Sequence, residues 1–368
     1  MSVDPGLASW LRLTLTPGLG ASTLRKLLGQ FGLPQAVLDQ RRELSALLPS
    51  AVIHALYSTQ VEEAVGAALR WLGEPGNALV TLADESYPRG LLEIADPPAL
   101  LYARGRTELL RRDCLAVVGS RNGTVQGEEN AQRFARALSD AGLTIVSGLA
   151  MGIDAAAHRG GLAGASSTIA VLGTGIDIAY PKRNGDLAAQ IAARGLLISE
   201  FPLGTGPVAA NFPRRNRLIS GLAQGCLVVE AAPASGSLIT ARAAAEQGRE
   251  VFAIPGSIHS PLAKGCHALI KSGAKLVESA EDVLAELSGF RRSGFASTTL
   301  GTSAASAGAP GLLAHMGHDP VDVDLLCARA GLPAEQVASE LLRLELEGKI
   351  AALPGGLYQR LEKTAPPR

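Results

Sequence analysis

Residues 114–124 read CLAVVGSRNGT, an apolar run that stops at Gly119 and continues into Ser120 and Arg121. A short run rich in β-branched residues that ends at glycine is typical of a buried strand followed by a tight loop. The pattern recurs in LTIVSGLAMGID (143–154), STIAVLGTGID (167–177), GLLISEFPLGT (195–205), GCLVVEAAPASGS (225–237) and EVFAIPGS (250–257). We therefore predict six strands, and their nearly continuous apolar character indicates a sheet covered on both faces.

Helix-like segments separate these strands. They are NAQRFARALSDAG (130–142), IDAAAHRGGLA (153–163), NGDLAAQIAARG (184–195), NRLISGLAQG (216–225), LITARAAAEQG (238–248) and CHALIKSGA (266–274). Strands that alternate with helices at this spacing favour βαβ units and a parallel sheet. The predicted fold class is therefore α/β, with an extended Rossmann-like parallel sheet as the core over residues 78–288.

The flanking regions have different patterns. Residues 1–75 carry apolar positions three and four apart, which predicts a small helical domain, and TPGLGAS (16–22) resembles the turn of a helix-hairpin-helix. Residues 289–311 are rich in Ser, Gly, Ala and Thr and are predicted to be a flexible linker. Residues 312–363 follow the order helix, turn, helix and two-stranded wing, which predicts a winged helix.

The predicted recognition helix of the winged helix is acidic. It carries Glu335, Glu340, Glu345 and Glu347 against Arg343 alone. Because an acidic face repels the backbone of a duplex, the sequence favours a protein-contact or regulatory role for this domain over DNA binding of the usual kind.

The composition predicts a cytoplasmic protein without a membrane span. Hydrophobic residues make up 47% of the 368 residues, and no uncharged apolar run approaches the roughly 18 residues that a span needs. The four cysteines form no C-x-x-C pair, which predicts reduced thiols and neither a disulfide framework nor a zinc site. The formal net charge is zero, so anion binding would depend on locally placed cations.

Basic residues follow several of the predicted strands. The carboxyl ends of parallel strands share one edge of a sheet, where exposed amides and helix N-termini meet. Arg121 lies in the first loop, Lys182 in the third, and Arg214, Arg215 and Arg217 in NFPRRNR, which is interpreted as a loop. We expect one site for several phosphates, and about four contacts to a single strand would give a slope of log affinity against log salt near −3.

Catalytic patterns are incomplete in this region. VLGTGIDIAYP (171–181) lacks the third glycine of a dinucleotide fingerprint, and no Walker motif occurs. Asp154 and His158 are predicted to be a helix N-terminal acid and a hydrogen-bonded histidine, not a metal site. Glu200 and Glu230 could act as acids or bases, or could position the arginines. Without a nucleophile beside a base, the sequence favours binding over catalysis, with no catalytic residue, cofactor or metal.

The spread of basic side chains over several loops favours a polymer over a mononucleotide. Tyr180 and Phe212 fall within two of the basic segments, where a ring could stack on an unpaired base or pack beneath its loop. Single strands expose the faces of their bases and duplexes do not. The sequence therefore favours single-stranded nucleic acid.

Eight long motifs follow one another in the middle of the chain. They are YPRGLLEIADPPALLYARG (87–105), VVGSRNGT (117–124), SGLAMGIDAAAH (147–158), TIAVLGTGIDIAYPKRN (168–184), ISEFPLGT (198–205), NFPRRNRLISGL (211–222), VVEAAPASGSLITARAAAEQGREVFAIPG (228–256) and GCHALIKSGA (265–274). In this order they resemble the DprA family of DNA-processing proteins of natural transformation. The flanks resemble family members more loosely, the N-terminal region being similar to a sterile alpha motif domain.

The resemblance implies a DNA-binding Rossmann-like domain. Family members are expected to bind single-stranded DNA, form homodimers, protect the strand and help load the recombinase RecA onto it, without catalysis. Together with the stacking argument, this gives the predicted DNA-binding set Gly119, Ser120, Arg121, Tyr180, Lys182, Phe212, Arg214, Arg215, Arg217, Ser235 and Gly236. The resemblance also implies a dimer contact near His267 and Ile270.

Two other function classes remain open from sequence. The first is a nucleotide-processing enzyme of the lysine-decarboxylase-like (LOG) group, which hydrolyses nucleoside monophosphates. Its P-G-G-x-G-T-x-x-E loop would lie at ASGSLITAR (234–242), where the glutamate is missing. The second is a nicotinamide-dependent oxidoreductase, which the incomplete fingerprint disfavours.

Overall fold

The computed structural model describes residues 5–287, 312–316 and 320–361. The predicted linker at 289–311 lies outside the described residues. Among those described, no helix is both long and apolar enough to cross a bilayer.

The N-terminal region is helical, as predicted. Its helices are α1 (Pro5–Leu15), α2 (Ala21–Phe31), α3 (Pro34–Asp39), α4 (Arg41–Leu47), α5 (Ser50–Leu56) and α6 (Thr59–Leu72). Ser58 caps α6 by accepting a hydrogen bond from the Val61 amide. Trp71 at the end of α6 packs edge-on against Tyr102 of the central sheet, with ring centroids 5.6 Å apart. This contact joins the helical region to the sheet.

A nine-stranded sheet forms the centre of the molecule. Its strands are β1 (Asn77–Thr81), β2 (Leu100–Gly105), β3 (Cys114–Val118), β4 (Thr144–Ser147), β5 (Thr168–Val171), β6 (Leu196–Ser199), β7 (Gly225–Val228), β8 (Glu250–Ala253) and β9 (Lys275–Leu276), in the order β1-β2-β6-β5-β4-β3-β7-β8-β9. The strands from β6 to β9 in that order are parallel, whereas β2 is antiparallel to both its neighbours. The predicted α/β class and all six predicted strands are confirmed.

Helices cover both faces of this sheet. They are α7 (Arg89–Leu92), α8 (Val125–Asp140), α9 (Ile153–Ala163), α10 (Gly185–Arg194), α11 (Asn211–Leu222), α12 (Ser237–Glu246), α13 (Lys264–Lys271) and α14 (Ala280–Glu286), with 3-10 turns at Thr107–Arg111 and Lys182–Asn184. Alternate strand residues serve opposite faces: Leu115 and Val117 pack with α8 and α9, whereas Ala116 and Val118 pack with α11 and α12. The two-sided apolar core is the one that the strand pattern predicts.

The structure corrects the interpretation of NFPRRNR as a loop. Residues Asn211–Leu222 form α11, so the arginine cluster occupies the first turns of a helix. Pro213 does not prevent this, because an amide in the first turn of a helix has no intrahelical partner to lose. Arg215 is spaced three and four residues from buried Leu218 and Ile219 and shares their face. The helical period therefore decides which arginines are exposed.

The C-terminal region has the predicted winged-helix order. Its elements are α15 (Leu312–Met316), β10 (Val321–Asp322), α16 (Val323–Ala330), α17 (Ala334–Leu346), β11 (Ile350–Leu353) and β12 (Leu357–Arg360). The three strands pair in the order β10-β12-β11. Val337, Leu341 and Leu344 form the buried face of α17. Leu342 and Leu346 are exposed on its opposite side.

Candidate nucleic-acid interface

A cleft of about 640 Å³ opens at the carboxyl ends of the strands. It lies where the strand order reverses: β4, β5 and β6 extend from one side of β3, and β7, β8 and β9 from the other. Open parallel sheets bind ligands at such switch points, because the loops after the two central strands diverge there. Val118 at the end of β3 and residues 119–122 after it line the cleft, together with Ala232 and residues 234–237 after β7 and residues of α9 and α11.

Glycine contacts fix the first loop of the cleft. A Cβ atom at Gly119 would lie 2.7 Å from the Ile153 side chain, so the loop rests directly on the start of α9. The Ser120 amide donates to the carbonyl of Glu230 at 2.7 Å, and the Ile153 amide donates to the carbonyl of Ser120 at 3.1 Å. These bonds hold Arg121, the next residue, at the mouth of the cleft with its side chain exposed.

Arg121 lies beside a pair of aromatic rings. Its guanidinium carbon is 5.8 Å from the centroid of the Phe212 ring. Phe212 packs over Gly173, where a Cβ atom would lie 2.7 Å from the ring. Tyr180 lies 5.5 Å from Phe212 with the two rings tilted by 40°, and 42% of Tyr180 is exposed. A cation and an exposed ring therefore stand together on one wall.

Arg215 is buried beneath this wall. Only 5% of the residue is exposed, its Nη1 donates to the carbonyl of Val171, and its guanidinium covers Gly148. Burial lowers the pKa of Arg215 to about 10, an effect that nearby Asp154 opposes. At neutral pH the guanidinium group stays charged. Because it is buried, Arg215 acts through the positive electrostatic potential that it gives to the cleft floor, and not through direct contact with a ligand.

Glu200 holds the other two arginines of α11. Its carboxylate is almost fully buried, and Oε2 accepts from Arg217 Nη2 at 2.5 Å and from Arg214 Nη2 at 3.3 Å. Burial raises the pKa of Glu200, and the two arginines oppose that shift. Of the two roles left open by the sequence, Glu200 has the positioning one in this structure.

Glu230 has a different role from Glu200. Its carboxylate accepts from the Thr124 amide at 2.8 Å and from the Thr124 hydroxyl at 2.6 Å. Thr124 is the N-cap of α8, the helix that follows β3. In a dinucleotide-binding fold, the pyrophosphate lies at the start of this helix. Here a carboxylate occupies that position, which disfavours a dinucleotide there.

Asp154 and His158 have the structural roles predicted for them. Asp154 accepts from the amides of Gly148 and Ala150 at 3.1 and 3.4 Å. His158 Nε2 accepts from the Leu149 amide at 3.2 Å, which leaves Nδ1 to donate to the Thr168 hydroxyl at 2.8 Å. In the described ranges, no three His, Cys, Asp or Glu side chains come together as metal ligands.

The cleft brings together eight of the eleven predicted residues. They are Gly119, Ser120, Arg121, Tyr180, Phe212, Arg215, Ser235 and Gly236. Ser235 and Gly236 precede α12, and the first amides of this helix bond back to them: the Ser237 amide donates to the Ser235 hydroxyl at 3.3 Å, and the Leu238 and Ile239 amides donate to the carbonyls of Ser235 and Gly236 at 3.1 Å. Lys182, Arg214 and Arg217 lie outside the lining, the first two exposed and Arg217 largely buried. Arg183, next to Lys182, is also exposed.

Sequence reasoning missed two asparagines at the site. Asn216 lines the cleft and donates to the carbonyl of Gly236 at 3.4 Å, which links α11 to the last loop. Buried Asn184 donates to the carbonyls of Leu149 and Ala150 and fixes the loop after β4. Both asparagines stand inside the basic motifs already noted, so their position beside the arginines was the available signal.

His267 and Ile270, the predicted dimer contacts, lie on α13, which packs against β8. Both are half-buried. The His267 ring lies 3.0 Å from the carbonyl of Gly256, within its own chain.

The fold and the cleft define a Rossmann-like protein that presents cations and an exposed ring at the switch point of its sheet. Residues 78–288 match the family model described as DNA recombination-mediator protein A, and residues 297–356 match that of the DprA winged helix domain. The chain belongs to the DprA family of DNA recombination-mediator proteins.

Named relatives agree with this assignment. Protein Smf of Escherichia coli K12 is 45% identical over 309 residues, which are 82% of this chain and 82% of that protein. DNA processing protein DprA of Streptococcus pneumoniae R6 is 50% identical over 206 residues, which are 56% of this chain and 73% of that protein.

Two solved structures share the fold. The X-ray structure of DprA from Streptococcus pneumoniae superposes with a TM-score of 0.66 at 39% identity and covers 78% of this chain and 99% of its own. The second is a structure of DNA processing protein A from Helicobacter pylori, described as showing its single-stranded DNA binding mode. It has a TM-score of 0.51 at 28% identity and covers 56% of this chain and 94% of its own.

Proposed function

We propose that this protein binds single-stranded DNA along the cleft at the carboxyl edge of its sheet. The observation that carries the proposal is the wall on which exposed Arg121 lies beside Phe212, whose ring in turn adjoins Tyr180. Guanidinium groups contact phosphates, and exposed rings stack on unpaired bases. The single-stranded DNA binding mode of the Helicobacter pylori relative supports the same ligand.

The proposed phosphate contacts come from the exposed cations Arg121, Lys182, Arg183 and Arg214. The amides of Gly119 and Gly236 would add hydrogen bonds to phosphate oxygens, whereas those of Ser120 and Ser235 already donate to carbonyls of the protein. Arg215 and Arg217 serve instead as fixed positive charges beneath the strand, because their side chains are largely buried, whereas that of Arg214 is 52% exposed. Such contacts position a strand without reading its sequence, so we expect little base preference.

The role in the cell that we propose is that of a recombination mediator. The protein would protect incoming single strands during natural transformation and help RecA load onto them, acting in the cytoplasm and without catalysis. Filament assembly by RecA on strands coated with single-strand binding protein tests this role. Acceleration by the full chain is expected, and an unchanged assembly rate would contradict it.

We also propose that the protein is a homodimer through the α13 side of the sheet. His267 and Ile270 are half-exposed there, and Ile258 and Leu276 nearby in sequence are exposed. Light scattering after size exclusion should give twice the chain mass for the wild type and a monomer for Ile270→Asp. A monomeric wild type would contradict this contact.

The winged helix is proposed to contact protein. Its recognition helix α17 exposes Leu342 and Leu346 together with Glu335 and Glu345, and Arg343 is paired with Glu340 and Glu347. An apolar stripe with acidic flanks favours protein over a phosphate backbone. Leu346→Lys in the full chain should leave DNA affinity unchanged within about twofold, and a larger change would argue for a DNA contact.

The alternatives are testable on the same protein. The LOG-like enzyme predicts release of a free base from nucleoside monophosphates, which mass spectrometry would detect. The oxidoreductase predicts tight binding of NAD in a calorimetric titration. The Glu230 carboxylate at the start of α8 disfavours the second alternative.

The deciding experiment for the proposed function compares a fluorescein-labelled oligothymidylate with a labelled duplex by anisotropy. The wild type should prefer the single strand, and Tyr180→Leu should weaken that binding at least about fivefold, the value of one stacked base. Tyr57→Leu is the matched control, since Tyr57 is 41% exposed and lies beside an arginine, yet belongs to the helical region. Equal affinity for both DNAs, or equal effects of the two variants, would overturn the proposal.

A further inference from the structure

A chain of ion pairs connects the helical region to the edge of the cleft. Arg25 of α2 pairs with Asp96 Oδ1 at 2.6 Å, and Asp96 Oδ2 lies 3.4 Å from Arg217 Nη2. Arg217 shares the Glu200 carboxylate with Arg214. The charges alternate in sign along the series, and each member contacts the next. The helical region is therefore in electrostatic contact with a proposed DNA-binding arginine.

Glu200 and Arg217 of this series are shielded from solvent, whereas Arg214 at its end is exposed. Exposure of the side chain is 4% for Glu200 and 17% for Arg217, but 52% for Arg214. Interactions between shielded charges are stronger than those at the surface, so removing one member of the series alters the ion pair that the next member forms. Arg214 is the member that solvent, or a phosphate, can reach.

Packing keeps the series in place. Arg25 also donates to the carbonyl of Pro97 at 3.0 Å, and buried Tyr87 donates from its hydroxyl to the carbonyl of Pro98 at 2.7 Å. A small cavity of about 230 Å³ is lined by Leu19 and Gly20 of the turn before α2 together with Glu200 and Arg214. The turn of the helical region thus adjoins the Glu200–Arg214 pair.

We infer that the helical region positions Arg214 for the DNA strand through this series of ion pairs. The inference rests on the proposed function. In the full series, Arg25 holds Asp96, so Arg217 stays mainly on Glu200 and Arg214 shares that carboxylate. If Arg25 is lost, Asp96 attracts Arg217 more strongly, and Glu200 then holds Arg214 away from a phosphate.

The same reasoning predicts that loss of the Asp96 carboxylate has the opposite effect on DNA affinity. Without its carboxylate, Arg217 has Glu200 as its remaining acidic partner in the series, and Arg214 is released. Arg25→Gln should therefore weaken single-stranded DNA binding about threefold, and Asp96→Asn should strengthen it by a similar factor. These factors correspond to the modest coupling of partly exposed ion pairs.

The experiment measures oligothymidylate affinity by anisotropy for the full chain carrying Arg25→Gln, Asp96→Asn or Arg12→Gln. Arg12→Gln is the matched control, because Arg12 is 22% exposed against 23% for Arg25 and pairs with Glu62 inside the helical region. The control should bind as the wild type does. Arg25→Lys keeps a positive charge beside Asp96 and should therefore retain most of the affinity. This result would show that the helical region remains folded when residue 25 is changed.

A double-mutant cycle separates positioning from a general loss of charge. In an Arg214→Gln background, Arg25→Gln should have no further effect on affinity. An equal effect in both backgrounds, or no effect of Arg25→Gln on a wild type that binds, would overturn this inference and leave the proposed function standing. A wild type that does not bind single-stranded DNA would overturn the proposed function and this inference with it.

Discussion

At the scale of single residues, a buried polar group lies beneath the cleft and holds its loops in shape. His158 is fully buried, and each ring nitrogen has one partner: the Leu149 amide donates to Nε2, and Nδ1 donates to Thr168. Thr168 in turn donates its hydroxyl proton to the carbonyl of Ile145 at 2.7 Å. A second proton on the ring would have to displace the Leu149 amide, which explains why the imidazole is held neutral.

This arrangement predicts a specific loss of stability in acid. Burial lowers the pKa of His158 from its ordinary value of 6.5 to about 3. The unfolded chain therefore takes up a proton near pH 6.5 and the folded chain does not, so the stabilisation is complete above pH 6.5 and is lost as the pH falls towards 3. The loss is about 1.4 kcal/mol per pH unit.

Urea unfolding at pH 6.5 and at pH 5 measures this effect. Between the two values, the wild type should lose about 2 kcal/mol more of its free energy of unfolding than His158→Gln, whose side chain does not titrate. Parallel losses in the two proteins would show that His158 is not held neutral in the folded state.

At the scale of elements, the strands and helices were predictable where their patterns are long and regular. All six strands of the βαβ units were found in the sequence, because both their faces are apolar and each leads into a loop that contains glycine, serine or proline. Strands β1, β2 and β9 were missed. The first two are joined through the four-residue helix α7 and pair antiparallel, so they do not follow the βαβ spacing, and β9 has only two residues.

The start of α8 offers a test at this scale. The Thr124 hydroxyl accepts from the Gly127 amide at 2.9 Å and donates to the Glu230 carboxylate. It therefore provides a hydrogen-bond partner both to a first-turn amide of the helix and to a partly buried carboxylate. Thr124→Ala should lower the free energy of unfolding by about 1 kcal/mol or more, the usual effect of losing a cap. Thr23→Ala, at an exposed position in the first turn of α2, is the control. If Thr124→Ala and the wild type unfold with the same midpoint denaturant concentration, this role of Thr124 is contradicted.

At the scale of the whole molecule, the sheet edge explains how distant sequence motifs form one cleft. Residues from 119 to 240 meet there because parallel strands place all their following loops at the same edge. This much could be predicted from the order of the strands. The roles of the individual arginines could not, since they depend on the helical period of α11 and on the Glu200 carboxylate, which the chain places beside Arg214 and Arg217 only after folding.

The most direct test of the account is the salt dependence of single-stranded DNA binding by the wild type and by Arg121→Gln. Four exposed cations predict a slope of log affinity against log salt near −3 for the wild type, and removal of one contact predicts a slope near −2 for Arg121→Gln. Equal slopes for the two proteins would contradict the claim that Arg121 contacts the DNA backbone and that the cleft at the sheet edge is the DNA site.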